Sequence, residues 1–212
     1  MMDKDGKLKK AWNFFWHGDS LGSWLANVVV AFVVIRFIFY PLLGVVLGTS
    51  FPIVAVISES MEHGLHDGRL CGNYYADFKE SFDNYWDSCG SWYEQREITK
   101  GGFSSFHFSN GFDKGDVILL WRANKNNIKI GDILIFQGDR PQPLIHRVVK
   151  IWEEDGKIYY QTKGDHNSAS LTGSGGEEKI SEERIYGKGI VRLPYLGWIK
   201  IAFVNLFGGV LS

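Results

Sequence analysis

GDILIFQGDRPQPLIHRVVKIWEEDGKIYYQTKGDHN, residues 131–167, holds three apolar runs in one short stretch. Ile133–Gln137, Ile145–Trp152 and Ile158–Thr162 are rich in Ile, Val and Tyr and have the length of strands, not helices. Turn formers stand before and between them, at Lys129-Ile130-Gly131-Asp132 and Glu154-Asp155-Gly156. Outward from this block, Val117–Trp121 follows the turn Asp113-Lys114-Gly115-Asp116, and Gly187–Leu193 supplies another run. Short strands without helices between them predict a mainly β, barrel-like domain. Ser168–Glu178 is Gly/Ser-rich and reads as a mobile surface loop.

The ends of the chain have another character. From Trp24 to Ile57 the only charge is Arg36. That run exceeds the roughly 20 apolar residues of one membrane span. It divides into a transmembrane helix over 20–47, with Ser20 as N-cap, and a strand over 51–57 after Gly48-Thr49-Ser50. Residues 1–19 carry Lys4, Lys7, Lys9 and Lys10 with Trp12, Phe14, Phe15 and Trp16. Lysines on that flank predict a cytoplasmic N-terminus and an extracytoplasmic domain from residue 48. A removed signal peptide is the rival, but the span is long and no small-residue cleavage site follows it. Arg36 reads as snorkelling, with pairing to a partner helix as the alternative. Residues 196–212 are apolar apart from Lys200 and Asn205, and fit a membrane-associated segment or a plain core helix.

Both cysteines, Cys71 and Cys89, fall in an aromatic insertion over 62–112. An even count on the extracytoplasmic side favours a disulfide. A metal site from His63, His66, Cys71 and Cys89 is the rival, and its spacing lacks the tight Cys pair of zinc sites. Tyr75, Phe78, Phe82, Tyr85 and Trp86 share one helical face, which predicts a helix over 74–86. His63, His66 and His107 read as insertion surface, and Trp86, Trp92 and Tyr93 as packing around the disulfide, with contact to the membrane surface or to substrate as the alternative. Composition excludes disorder, with 45% hydrophobic and 22% charged residues over 212 positions. A net charge of −1 gives the chain no bias toward nucleic acid.

Ser60 ends the first strand in Ser58-Glu59-Ser60-Met61, His146 lies inside a β-branched run, and Asp165 stands in Lys163-Gly164-Asp165-His166-Asn167. A serine needs a base to become nucleophilic, and a histidine base needs an acid to orient it. Arg147 and Lys163 read as supports of the site, and Asp116 and Asp132 as turn formers.

SESM after an apolar strand, GDILIF (131–136), IHRVV (145–149), KGDHN (163–167), FDKGDV (112–117) and LPYLGW (193–198) together resemble a type I signal peptidase. The histidine resembles the archaeal and endoplasmic-reticulum branch, where the bacterial branch has lysine. The resemblance covers about residues 20–61 and 112–200 and leaves out the insertion. It implies a signal-peptidase-like β-barrel protease domain with Ser60 as nucleophile and His146 as base. Asp165 would orient His146, the Ser58 hydroxyl and Ser60 N–H would face the oxyanion, and Met61 would line the substrate pocket. It further implies no metal or cofactor, and preprotein signal peptides with small residues at −1 and −3 as substrates. Membrane lipid and partner helices complete the expected surroundings, in the cell membrane or, for a eukaryote, the endoplasmic-reticulum membrane.

Three positions depart from the family pattern: Glu59 replaces a usual glycine, His63 a proline, and Leu171 a second aspartate. Asp165 is therefore expected to orient the base alone, with Glu177 or Glu178 as the alternative from the loop. An inactive relative that binds signal peptides or a partner is the rival from another class. A self-processing regulator of the same fold is a third, and it predicts a DNA-binding segment where this chain has a membrane span.

Overall fold

Ser20 holds extended backbone and its hydroxyl accepts from the Ser23 N–H at 3.1 Å, so the long apolar helix α1 (Leu21–Leu47) starts on a side-chain cap. The computed structural model describes residues 12–18, 20–173 and 176–198. At 1.5 Å per residue α1 is about 40 Å long, enough to cross a bilayer with tilt. A π-helical turn, Ile35–Phe39, interrupts it and carries Arg36, whose guanidinium lies 5.7 Å over the Phe37 ring. Residues 12–17 form a short helix before it. Two carbonyls of that helix find donors on α1: Ser23 Oγ donates to Phe14 O, and Asn27 Nδ2 to Phe15 O at 2.8 Å. Among the described residues, those up to Val46 form one compact unit and those from Leu47 onward another.

The second unit is built on one antiparallel seven-stranded sheet that curls into a half-barrel. In chain order its strands are β1 (Ile53–Ala55), β4 (Val117–Trp121), β5 (Ile133–Phe136), β6 (Leu144–Glu154), β7 (Lys157–Lys163), β8 (Ile180–Ser181) and β9 (Ile185–Leu193). A separate hairpin pairs β2 (Arg69–Leu70) with β3 (Asn73–Tyr74). The sheet order is β1-β4-β9-β5-β6-β7-β8, so β9 returns to the centre and β1 is left as an outer edge. β5 is buried along its whole length, and the core divides over the two faces. Val56, Met61, Phe112, Ile118 and Ile133 pack in one cluster, and Leu134, Phe136, Val148 and Tyr160 in another.

The insertion folds on an aromatic core that also takes in Val149 of β6. The expected helix over 74–86 lies later in the chain, as α2 (Phe82–Glu94), with α3 (Lys100–Ser104) behind it. Ser81 accounts for the shift, because its hydroxyl accepts from the Asn84 N–H and caps α2, while Asn73 and Tyr74 are drawn into the hairpin. Tyr85, Trp86, Cys89, Tyr93 and Phe103 are buried together, and Cys71 is joined to Cys89. Among the described residues no cluster of histidine, cysteine and carboxylate could hold a metal. Residues 199–212, most of the C-terminal apolar segment, and 1–11 lie outside the described residues.

The disulfide closes a loop of 18 residues. Replacing both cysteines by serine is expected to cost about 3 kcal/mol, or about 6–12 °C in melting temperature for a chain of this size. Thermal unfolding of the detergent-solubilised protein measures it; an unchanged melting temperature contradicts the clamp.

Candidate functional site

Strand alternation places the two consecutive residues His146 and Arg147 on opposite faces of β6. His146 and Thr162 share one face, while Arg147 sits directly across from Lys163 on the other. The turn after β7, Gly164 to Asn167, then serves both faces. On one side it meets Ser60: the His166 N–H donates to the Ser60 carbonyl at 2.9 Å. A Cβ on Gly164 would lie 2.8 Å from both His146 Nε2 and that carbonyl oxygen, so only glycine permits this approach.

Ser60 Oγ lies 2.9 Å from His146 Nε2, and the ring's other nitrogen, Nδ1, contacts Glu177 Oε1. A carboxylate can only accept, so Nδ1 carries the proton of the neutral imidazole. Nε2 is thereby left with its lone pair facing the serine hydroxyl. His146 is almost fully buried and Glu177 completely so, while Ser60 is half-buried at the surface. Ser58 Oγ lies 3.2 Å from Ser60 Oγ.

The acid on the imidazole is Glu177, and this corrects the expectation for Asp165. The loop positions Glu177 firmly. Thr162 Oγ1 donates to Oε1 at 3.0 Å and the Leu171 N–H donates to Oε2 at 2.7 Å. The Glu177 backbone is also fixed, by bonds to Leu171 O at 2.7 Å and from Thr162 N at 3.0 Å. Leu171, the position where the family pattern has an aspartate, thus holds the substitute carboxylate by its own amide. The loop expected to be mobile packs Ser170, Gly176 and Glu177 inside, whereas Glu178 is exposed.

Asp165 faces the other way. Arg147 Nε donates to Oδ1 at 2.9 Å and Nη2 to Oδ2 at 2.6 Å, with both residues fully buried. The remaining guanidinium protons go to the carbonyls of Gly131, His107 and Phe108, so no donor of Arg147 is left over. Tyr93 Oη donates to Asp165 Oδ1 at 3.0 Å and His63 Nε2 to Oδ2 at 3.0 Å. Burial raises the Asp165 pKa, but Arg147 and His63 more than offset it and hold the carboxyl well below its usual range.

His63 is a second correction. It is 5% exposed, not on the insertion surface, and its ring stacks on Tyr85 with centroids 3.5 Å apart. His66 and His107 are exposed as expected. Trp86 and Tyr93 pack around the disulfide, and Asp116 and Asp132 accept turn N–H bonds from Asp113 and Lys129. Lys163 is buried, donates to the carbonyls of Gly164 and Asp165, and has its pKa pushed down to about 8, burial being the largest cause. Glu59 and Lys114 form an ion pair at 2.6 Å beside Ser60. The sequence offered no signal for the roles of Tyr85, Tyr93 and His63, since nothing in spacing relates them to residue 165.

A cleft of about 120 Å³ opens beside Ser60. Val54, Met61, Phe112, Gln142, Leu144 and Ile145 are among the residues that line it. Among the described residues, β1 is an outer strand of the sheet, and Leu144–His146 pair with β5 on one side while β7 pairing begins only at Arg147.

No family model matches the chain. The signal peptidase complex catalytic subunit SEC11C of Homo sapiens is 33% identical over 94 residues, covering 42% of this chain and 49% of that protein. SEC11 subunits of Lachancea thermotolerans and Yarrowia lipolytica are 34% and 32% identical over 96 and 94 residues. The matched stretch spans about half the length of these curated relatives, at 56% and 54% of the two fungal subunits. The resemblance to the endoplasmic-reticulum branch of signal peptidases is thus borne out by relatives named as signal peptidase complex catalytic subunits.

The lowered pKa of Lys163 gives a pH test. Below about pH 8 both folded and unfolded chains carry the proton, and the cost of burying the charge is present in full. Between about 8 and 10.4 the folded state sheds it first, so stability rises with pH. Wild type is expected to gain about 2 kcal/mol on Lys163→Met from about pH 7.5 to about pH 9.5. Parallel denaturation curves at the two pH values measure the gain, and a constant difference refutes it.

Proposed function

We propose that this chain is a membrane-anchored serine endopeptidase that removes signal peptides from exported proteins. The observation that carries the reading is the ordered contact Ser60 Oγ to His146 Nε2 at 2.9 Å, with His146 Nδ1 on Glu177. Similarity to signal peptidase catalytic subunits supports signal peptides as the substrate class.

In this mechanism Ser60 Oγ attacks the scissile carbonyl carbon and its proton passes to His146 Nε2. The imidazolium is stabilised by Glu177, which stays ionised. The oxyanion is met by the Ser60 N–H and the Ser58 hydroxyl, groups already beside the nucleophile. Collapse breaks the C–N bond, and Nε2 returns its proton to the leaving amine of the mature protein. Water then attacks the acyl ester by the same route and frees the signal peptide. The substrate adds as a strand along β1 and Leu144–His146, and the small cleft favours small side chains next to the cut. Helix α1 keeps the site near the bilayer where signal peptides end, with residues 1–19 in the cytoplasm; the disulfide agrees with an oxidising far side.

Cleavage of a preprotein by the solubilised protein tests the reading. Ser60→Ala and His146→Ala are expected to abolish processing. Glu177→Gln should stay folded yet lose about 10²–10⁴ in kcat, because an amide can donate to Nδ1 and favour the wrong tautomer. Asp165→Asn is expected to act on folding, costing about 3–5 kcal/mol by leaving Arg147 buried without its anion. A wild type that binds preproteins and leaves them whole overturns the enzyme reading in favour of a binding module.

A further inference from the structure

The aromatic insertion is not part of the family resemblance, yet it reaches the back of the catalytic turn at several points. Tyr85 and Tyr93, both from α2 and both fully buried, donate hydroxyl protons to the Asp165 carbonyl at 3.1 Å and to its Oδ1 at 3.0 Å. The Cys71 N–H donates to His166 O at 3.0 Å, and Cys71 is tied to α2 by the disulfide to Cys89. The same turn grips the nucleophile from its other face. His166 N donates to Ser60 O at 2.9 Å, and Asp165 N lies 3.4 Å from the sulfur of Met61. Gly164 touches the base and the nucleophile's carbonyl together.

We infer that Tyr85 and Tyr93 are positioning residues for the peptidase reaction, holding the Gly164–His166 turn so that Ser60 and His146 stay at reacting distance. The inference rests on the peptidase reading of the site. Its physical basis is stiffness. A turn without side-chain anchors would move by fractions of an ångström, and reaction rates fall steeply with such displacement of a nucleophile from its base. Each hydroxyl is buried and its acceptor lies on that turn, while the phenyl rings alone supply the packing of the aromatic core. Phenylalanine at both positions therefore keeps the rings in the core and removes the grip, together with the Tyr85–Tyr93 hydroxyl contact and the bond that Lys163 Nζ donates to Tyr93 Oη.

The experiment compares full-length wild type with Tyr85→Phe, Tyr93→Phe and the double variant in detergent. Cleavage of a preprotein is followed, and active sites are counted by labelling with a serine-reactive fluorophosphonate. Hydrogen exchange is read on peptides covering 164–167. The double variant is expected to lose about tenfold in kcat per labelled site with KM unchanged, and each single variant less. Exchange at the His166 amide should quicken while amides of β5 keep their protection. Unchanged kcat per labelled site, or a loss accounted for wholly by fewer labelled sites, overturns the inference and assigns the tyrosines to packing alone. A change confined to KM overturns it as well. Wild type that labels and exchanges normally but cleaves no preprotein overturns the peptidase reading, and the inference with it.

Discussion

Two carboxylates buried behind one histidine strand are the constraint on which the site depends. Arg147 and Asp165 are fully buried opposite charges, and neither is tolerable without the other. Their pairing, with the Tyr93 and His63 donors beside it, fills the acceptors of Asp165 and pins the turn after β7 against β6. Once that acid is spent on Arg147, the neighbouring His146 needs another carboxylate on its own face of the strand. Glu177 fills the place, and alternation along β6 keeps the two acids from exchanging partners. One acid is thereby paired with an arginine and the other with a histidine.

The strands were legible because their apolar runs have strand length and are separated by turn formers. Val117–Trp121 is read to the residue, and the Ser20 cap of α1 likewise. The helix of the insertion was misplaced because a shared apolar face does not say where the first turn begins; the Ser81 cap does. Ser60 and His146 were legible through motif resemblance, and the structure brings them to hydrogen-bond distance across 86 positions of sequence. The choice between Asp165 and Glu177 was not, since Gly/Ser-rich composition speaks for mobility and gives no hint of the Leu171 and Thr162 bonds that fix Glu177. His63 was hidden for a related reason: its burial is created by Tyr85 and Asp165, both distant in sequence.

Departures from the family pattern form a consistent set. Leu171 lacks the expected carboxylate, and Glu177 brings one back to Leu171's own amide. His63 stands where proline is usual and donates to Asp165, on the flank where the insertion adds Tyr85 and Tyr93. Glu59 stands where glycine is usual and is paired with Lys114, which lowers its pKa and balances its charge beside Ser60. Leu171, His63 and Glu59 each have a partner of opposite hydrogen-bonding character within this chain.

The central claim is that Ser60 forms a covalent ester with the carboxyl end of the signal peptide during turnover. Rapid acid quenching of the enzyme with a preprotein, followed by peptide mapping of the trapped species, tests it directly. The account predicts a mass increase equal to the signal peptide on the peptide holding Ser58-Glu59-Ser60-Met61, assigned to Ser60 by fragmentation and lost in His146→Ala. Cleavage products formed with no adduct on Ser60, or with the adduct on Ser58, would contradict it.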